Sequence, residues 1–404
     1  MLQKEALQKC LSGVIGAAAA LVIAPSLSRA SDTVTFGFGA SSQDFLDDRQ
    51  LYGVRSEAWA RGSYEASFGD FHLGLTLTAD GQRGTVNADG SYVNVNFGNW
   101  VVGLGAEDRH WSYSPHTSLI LSRNARPIPS IFLKKDTATE FSHPFLSWIG
   151  PWEGEVFLGV DGRAAGQDDV RFFGARLAFE PHPGLQFELL RTAQFTGGLR
   201  AFGDVLLGDT NEGTTAEANQ MAGFGVSYRF NQSRVYLQAI GEDEAGGLPS
   251  CWFYMAGIEH QASLGGANTV VNLELVDTRV GPTGNSFCGP NTAYNNGRHP
   301  YTSDGVVMGA PIDSEGKSIH LRVRHDLGAY GVDWGLGHYT VNDADTPSHR
   351  LSTGRVTGPV AHVGLSAEYE ELRIGGRLTY QGFDLDKRDI ERGLSVSVFA
   401  ERRF

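Results

Sequence analysis

Tight turns and long polar segments alternate along almost the whole chain, and between them apolar residues fall on every second position. That period puts all the apolar side chains of a stretch on one face of a β-strand. Tyr64, Ala66 and Phe68 lead into Gly69-Asp70, and Phe71, Leu73, Leu75 and Leu77 lead out, which is two strands about a two-residue turn. The same unit recurs around Gly98-Asn99, Gly150-Pro151, Pro181–Gly184, Asn231-Gln232, Gly265-Gly266, Gly328 and Glu370-Glu371. In the third unit the first strand is expected at Phe145 to Trp148 and the second at Val156, Leu158 and Val160. Eight hairpins, with single strands at 33–39 and 394–404, make eighteen strands, within a plausible sixteen to eighteen. The intervening loops are long: 40–62, 80–90, 109–140, 163–169, 195–220, 244–251, 279–316, 342–358 and 383–393.

Short turns on one side and long loops on the other is the layout of a transmembrane antiparallel β-barrel, with short periplasmic turns and long extracellular loops. Hydrocarbon offers the backbone no hydrogen-bond partner, so a sheet inside it must close on itself. Aromatic residues gather beside the short turns: Phe68 and Phe71, Phe97 and Trp100, Trp148 and Trp152, Tyr228 and Phe230, Tyr369, and the terminal Phe404. Repeated in this way they read as a girdle at the membrane interface. A secreted β-sandwich or solenoid is the alternative. One sandwich rarely needs so many strands, and no short repeat is present.

Composition supports this reading. The chain holds 23 Phe, 13 Tyr and 7 Trp, too many large apolar groups for a disordered coil, and its 52 Gly suit a protein with many turns. Mean hydropathy is −0.22, and beyond residue 30 no run approaches the roughly 18 apolar residues of a spanning helix. Lys4 and Lys9, an apolar stretch from Leu11 to Ala24, and Ser28-Arg29-Ala30 form an export signal with a cleavage site. The expected domains are therefore a signal peptide at 1–30 and the barrel at 31–404, in the cell outer membrane. Removing Lys4, Lys9, Arg29 and Glu5 takes away a net +2, so the formal charge of −13 becomes −15. That acidity speaks against nucleic acid as a partner. Cys251 and Cys288 remain, and export permits a disulfide, although nothing local shows that they meet.

The long segment at 110–131 carries Leu119-Ile120-Leu121 between serines, then Arg123, Asn124, Arg126 and two prolines. Three consecutive apolar residues are expected to fold inward against the lumen or to form a short strand. Guanidinium and amide groups beside them are suited to hydroxyls and carboxylates. Ion pairing within the barrel wall is the other use for such arginines. No nucleophile elbow, phosphate loop or His-x-x-x-His pattern is present. Neither an enzyme nor a cofactor or metal is expected, and Asp384, Asp386 and Asp389 read more simply as a solvated loop than as a divalent-ion site.

Ser118-Leu119-Ile120-Leu121-Ser122, followed by Asn124-Ala125-Arg126-Pro127, resembles the signature of the Wzi family of capsule-assembly proteins. Upstream, Trp111 and Pro115 match the family pattern, whereas its glycines are replaced in Trp111-Ser112-Tyr113-Ser114-Pro115. A second stretch is similar through Ala293-Tyr294-Asn295, His299, Tyr301, Asp304-Gly305, Gly309 and Pro311-Ile312-Asp313-Ser314, and a third, weaker one at 194–198. The resemblance implies an eighteen-stranded outer-membrane barrel acting as a surface lectin that anchors or organises capsular or exopolysaccharide. The candidate binding residues are Trp111, Tyr113, Ser118, Ser122, Arg123, Asn124, Arg126, Tyr294, Asn295, His299 and Tyr301. The expected partners are that polysaccharide, outer-membrane lipids with lipopolysaccharide, and the barrel-assembly machinery during biogenesis, with the protein a monomer. The alternative function is a diffusion porin, which requires an open lumen. For a lectin, loops 109–140 and 279–316 are expected to fold into the lumen together.

Overall fold

The computed structural model describes residues 32–46, 57–81, 84–162, 170–207, 218–242, 244–245, 248–282, 288–296 and 299–404. The export signal at 1–30 lies outside them. Eighteen antiparallel strands close a single barrel. They are β1 (Thr33–Ser41), β2 (Glu57–Phe68), β3 (Phe71–Asp80), β4 (Thr85–Asn87, resumed at Tyr92–Phe97), β5 (Trp100–Gly105), β6 (Ser130–Thr139), β7 (Trp152–Val160), β8 (Arg171–His182) and β9 (Leu185–Phe195). The second half is β10 (Ala218–Phe230), β11 (Ser233–Glu242), β12 (Trp252–Leu264), β13 (Ala267–Asp277), β14 (Lys317–Asp326), β15 (Tyr330–Val341), β16 (Val356–Tyr369), β17 (Leu372–Gln381) and β18 (Gly393–Arg403). Each strand pairs with its successor, and β18 returns to β1 with Ala400 opposite Phe38. Both pieces of β4 lie on β3, at Thr78↔Asn87 and Phe71↔Val95, which is why nineteen strand segments make eighteen staves.

Alternation sorts the side chains. Leu75, Leu104, Leu189, Leu336, Leu365 and Val396 point outward from strands all round the cylinder and are exposed. Apolar surface of that extent marks contact with lipid rather than water. The aromatic girdle is present on the short-turn side, with Phe68–Phe71 at 6.4 Å, Trp100–Trp152 at 6.0 Å, Phe179–Phe187 at 5.5 Å and Phe36–Phe404 at 6.2 Å between ring centroids. The β12–β13 turn shows why its residues are glycines: Gly265 and Gly266 have φ of 60° and 86°, the left-handed pair a tight hairpin requires. Many inward-facing positions are polar, and Glu188, Gln238, Asn272 and Glu274 are all buried inside the cylinder.

The third hairpin differs from the sequence expectation. Its first strand is β6 at Ser130–Thr139, and Phe145 to Trp148 sits in the connecting turn, with a 3-10 helix at Ser147–Ile149. Two lysines disguise β6. Lys134 faces the lumen and pairs with Glu107 at 2.5 Å, while Lys135 lies over the Trp152 ring at 4.4 Å at the membrane rim. Exposed Phe145 and Trp148 imitate a strand because girdle residues are aromatic whatever the local backbone.

The loop between β9 and β10 holds α1 (Leu199–Leu207), which folds down onto the outside of the barrel. Outward-facing Phe173, Ala193 and Phe195, at the long-loop ends of β8 and β9, are buried against Ala201, Val205 and Phe202. Outward-facing Arg191 donates to the Val205 and Leu206 carbonyls, satisfying groups at the helix C-terminus that have no partner within the helix.

Candidate functional site

The lumen is closed by two long loops folded into it from the same side. Leu119 and Ile120 have no solvent exposure, and Leu121 is buried beside them. The segment is hung from the wall by Gln238, which accepts from the Leu119 N–H at 2.7 Å and donates to the Trp111 carbonyl at 2.7 Å. Thr117 donates to Glu274 at 2.6 Å, as does Ser114. Arg109 pairs with Glu155 at 2.7 Å and lies over the Phe157 ring. Ser118 turns its hydroxyl back onto the Trp111 carbonyl at 2.8 Å. Inward-facing acids and amides of the strands therefore act as pegs for the loop.

The segment around 288–316 packs on the first loop. The Ser122 N–H donates to the Met308 carbonyl at 2.8 Å and its hydroxyl to Gly309 at 2.6 Å, while Asn124 Nδ2 donates to Val307 at 2.8 Å. The Tyr294 hydroxyl donates to the Leu119 carbonyl at 2.7 Å and accepts from the Ala310 N–H at 3.2 Å. A Cβ on Gly309 would fall 2.5 Å from the Tyr294 ring, so that approach requires glycine. Tyr301 shares a hydrogen bond with Thr192 at 2.6 Å, and Asn219 donates to the His299 carbonyl at 2.8 Å. Asp304 and Gly305, with φ of 56° and 70°, turn a short ladder between Thr302–Ser303 and Val306–Val307. Asp313, fully buried, receives the Arg350 guanidinium through both its oxygens.

The candidate residues fall into two groups. Trp111, Ser118, Tyr294, His299 and Tyr301 are buried and shape the plug. Arg123 and Asn295 are exposed, while Tyr113, Ser122, Asn124 and Arg126 are half-buried. Arg126 places its fork on Asp89 at 2.5 and 3.0 Å, and that hydrogen-bonded pair holds its pKa above the usual guanidinium value. Arg123 forms no ion pair among the described residues; its charge draws down the pKa of Asp108, which burial pushes up. The pKa of the Tyr113 phenol is raised, first by burial and then by the charge of Glu188. The pegs Gln238, Glu155 and Glu274 were not singled out from the sequence. Their signal is a polar residue on the inward face of a strand, which any barrel lumen carries.

Cys251 and Cys288 form a disulfide, with Cα atoms 5.2 Å apart, and tie the β11–β12 loop to the start of the plug segment. By chain entropy, closing a 37-residue separation contributes roughly 4 kcal/mol at most. Replacing both cysteines by serine is expected to make 288–316 susceptible to protease while the barrel keeps its heat-modifiable migration in gels. Equal protease resistance in the parent and the variant would show that the clasp is unnecessary. Among the described residues no group of three His, Cys, Asp or Glu is placed to hold a metal. Asp386 instead accepts from Thr353 at 2.5 Å and Asp384 from the Arg392 N–H at 2.7 Å.

A family model described as "Capsule assembly protein Wzi" matches residues 11–356. A 205-residue stretch, 48% of the chain, is 28% identical to the "Uncharacterized 55.8 kDa protein in cps region" of Klebsiella pneumoniae and spans only 41% of that protein. Among solved structures, Wzi of Escherichia coli, an outer-membrane protein involved in group 1 capsule assembly and described as a carbohydrate-binding β-barrel, superposes with a TM-score of 0.79 at 21% identity. That match covers 99% of this chain and 88% of the other. At such identity the likeness concerns the fold.

Proposed function

The chain belongs to the Wzi family of capsule assembly proteins, and from that premise we propose that it spans the outer membrane and holds capsular or related polysaccharide on the cell surface. We read it as a binding protein and not a catalyst. The observation that carries this is the joint closure of the lumen: Ser122, Asn124 and Tyr294 bind the two long loops to each other. A diffusion porin needs a water-filled passage, and here its place is taken by packed Leu119, Ile120, Tyr294 and Tyr301. The long-loop face then becomes a platform. Exposed Arg123 and Asn295, with half-buried Ser122, Asn124 and Arg126, supply the guanidinium, amide and hydroxyl groups for hydroxyls and carboxylates of a polymer. The buried aromatic residues support that platform from below.

The test joins two measurements. In planar bilayers the purified protein is expected to give no steady conductance. In a glycan-retention assay with surface polysaccharide from the source strain, Arg123→Ala is expected to weaken binding about tenfold, the worth of one charge-assisted contact. Large steady conductance, or no retention by the parent protein, would remove this reading.

A further inference from the structure

On the lipid-facing wall, near the long-loop ends of β11 to β15, lies a groove of about 540 Å³. Its floor follows from the register. Ala256 stands opposite Leu237 on one side and Leu275 on the other, and the row continues through Ile319 to His338. A methyl group between leucines leaves a hollow, with Tyr254 beside it. In hydrocarbon an unfilled hollow forfeits dispersion contacts with its lining, so it favours a flexible apolar chain.

One row higher, Tyr254, Asp277 and Lys317 are neighbours across the strands. There the wall becomes charged. Lys317 at 3.3 Å, Arg279 at 3.0 Å and Arg355 at 2.9 Å converge on Asp343, and Arg279 also grips Asp277 at 2.6 Å. Three cations thus share two carboxylates. Asp345 engages the Arg355 backbone N–H at 2.8 Å, and Glu315 is turned inward onto the N–H groups of Val280 and Asn291. Lys317 donates one hydrogen bond of the three its ammonium can make, and the terminal guanidinium nitrogens of Arg355 make none among the described residues. Lys317, in the lining of the hollow, therefore brings unused donors to its edge, and Arg355 joins it through Asp343. We propose that this flank is a site for a phosphorylated acyl lipid, the lipid A part of lipopolysaccharide, with an acyl chain over Ala256 and a phosphate on Lys317 and Arg355. Charge complementarity and continuity with the lipid-facing belt select that occupant, and the proposal rests on the outer-membrane placement above.

The test is native mass spectrometry of the protein extracted in mild detergent from lipopolysaccharide-containing outer membranes. A one-to-one lipid A adduct is expected. Lys317→Gln combined with Arg355→Gln, and separately Ala256→Leu to fill the hollow, are each expected to lower its occupancy about tenfold, with heat-modifiable migration unchanged. No adduct on the parent protein, a phosphatidylglycerol adduct in its place, or occupancy in either variant equal to the parent's would overturn the proposal. Polysaccharide retention measured in parallel separates the two readings. Loss of lipid with glycan binding intact isolates this flank, whereas loss of glycan binding with the lipid retained removes only the surface-anchor function.

Discussion

Truncating Tyr294 to alanine is expected to turn an electrically silent barrel into a conducting one. The side chain is fully buried, packs edge-on against Phe253 at 5.1 Å and stacks near Tyr301 at 6.0 Å. Its hydroxyl joins the two plug loops from the centre of the packing, giving to Leu119 of the first and taking from Ala310 of its own. Removing a buried aromatic side chain costs about 3–5 kcal/mol, and leaving the Leu119 carbonyl unpaired adds to this. The loss falls on the plug and not on the wall, because the strand ladder contains no part of Tyr294. Opening of the lumen should therefore precede unfolding. Planar-bilayer recordings of Tyr294→Ala and Tyr294→Phe decide the matter: frequent openings for alanine and rare ones for phenylalanine. If both remain silent at the temperatures where the barrel is intact, Tyr294 is not the keystone.

Removing Asp313 is expected to be nearly as damaging. Asp313→Ala leaves the Arg350 guanidinium, itself largely buried, without its counter-charge, and breaking a buried pair from one side costs about 3–5 kcal/mol. The pair also sets an acid limit. Burial would raise the Asp313 pKa, but the adjacent Arg350 outweighs it and holds the carboxyl below its ordinary value. A depressed folded-state pKa contributes stability above the unfolded value, and that contribution is lost as pH falls through the folded one. The contribution of this pair should thus be constant from neutral pH to about pH 4 and be lost only below it. Conductance recorded against pH reads this directly. Channel activity beginning near pH 6 would point to a histidine instead.

The parts of this fold that were legible in the sequence are those governed by period two. Outward residues such as Leu73, Leu75 and Leu77 must face lipid, so every strand except β6 is written as alternation. The burial of Leu119 to Leu121 was legible for a different reason, because a run of three apolar residues does not stay in water. What escaped depended on contacts distant in sequence. β6 hides behind Lys134 and Lys135, whose partners Glu107 and Trp152 lie outside the strand. The helix Leu199–Leu207 is stabilised by wall residues Phe173 and Phe195 that look like any lipid-facing pair. Tyr294 and Tyr301 share a composition with sugar-stacking residues, and only the three-dimensional arrangement shows that their faces are covered.

The helix laid against β8 and β9 makes the circumference of the cylinder uneven. A neighbouring protein that slides up to this quarter of the perimeter meets a ridge carrying Leu206 and not the bare strands. Side-by-side crowding is therefore directional, and close ranks of these barrels would have to form along their other flanks.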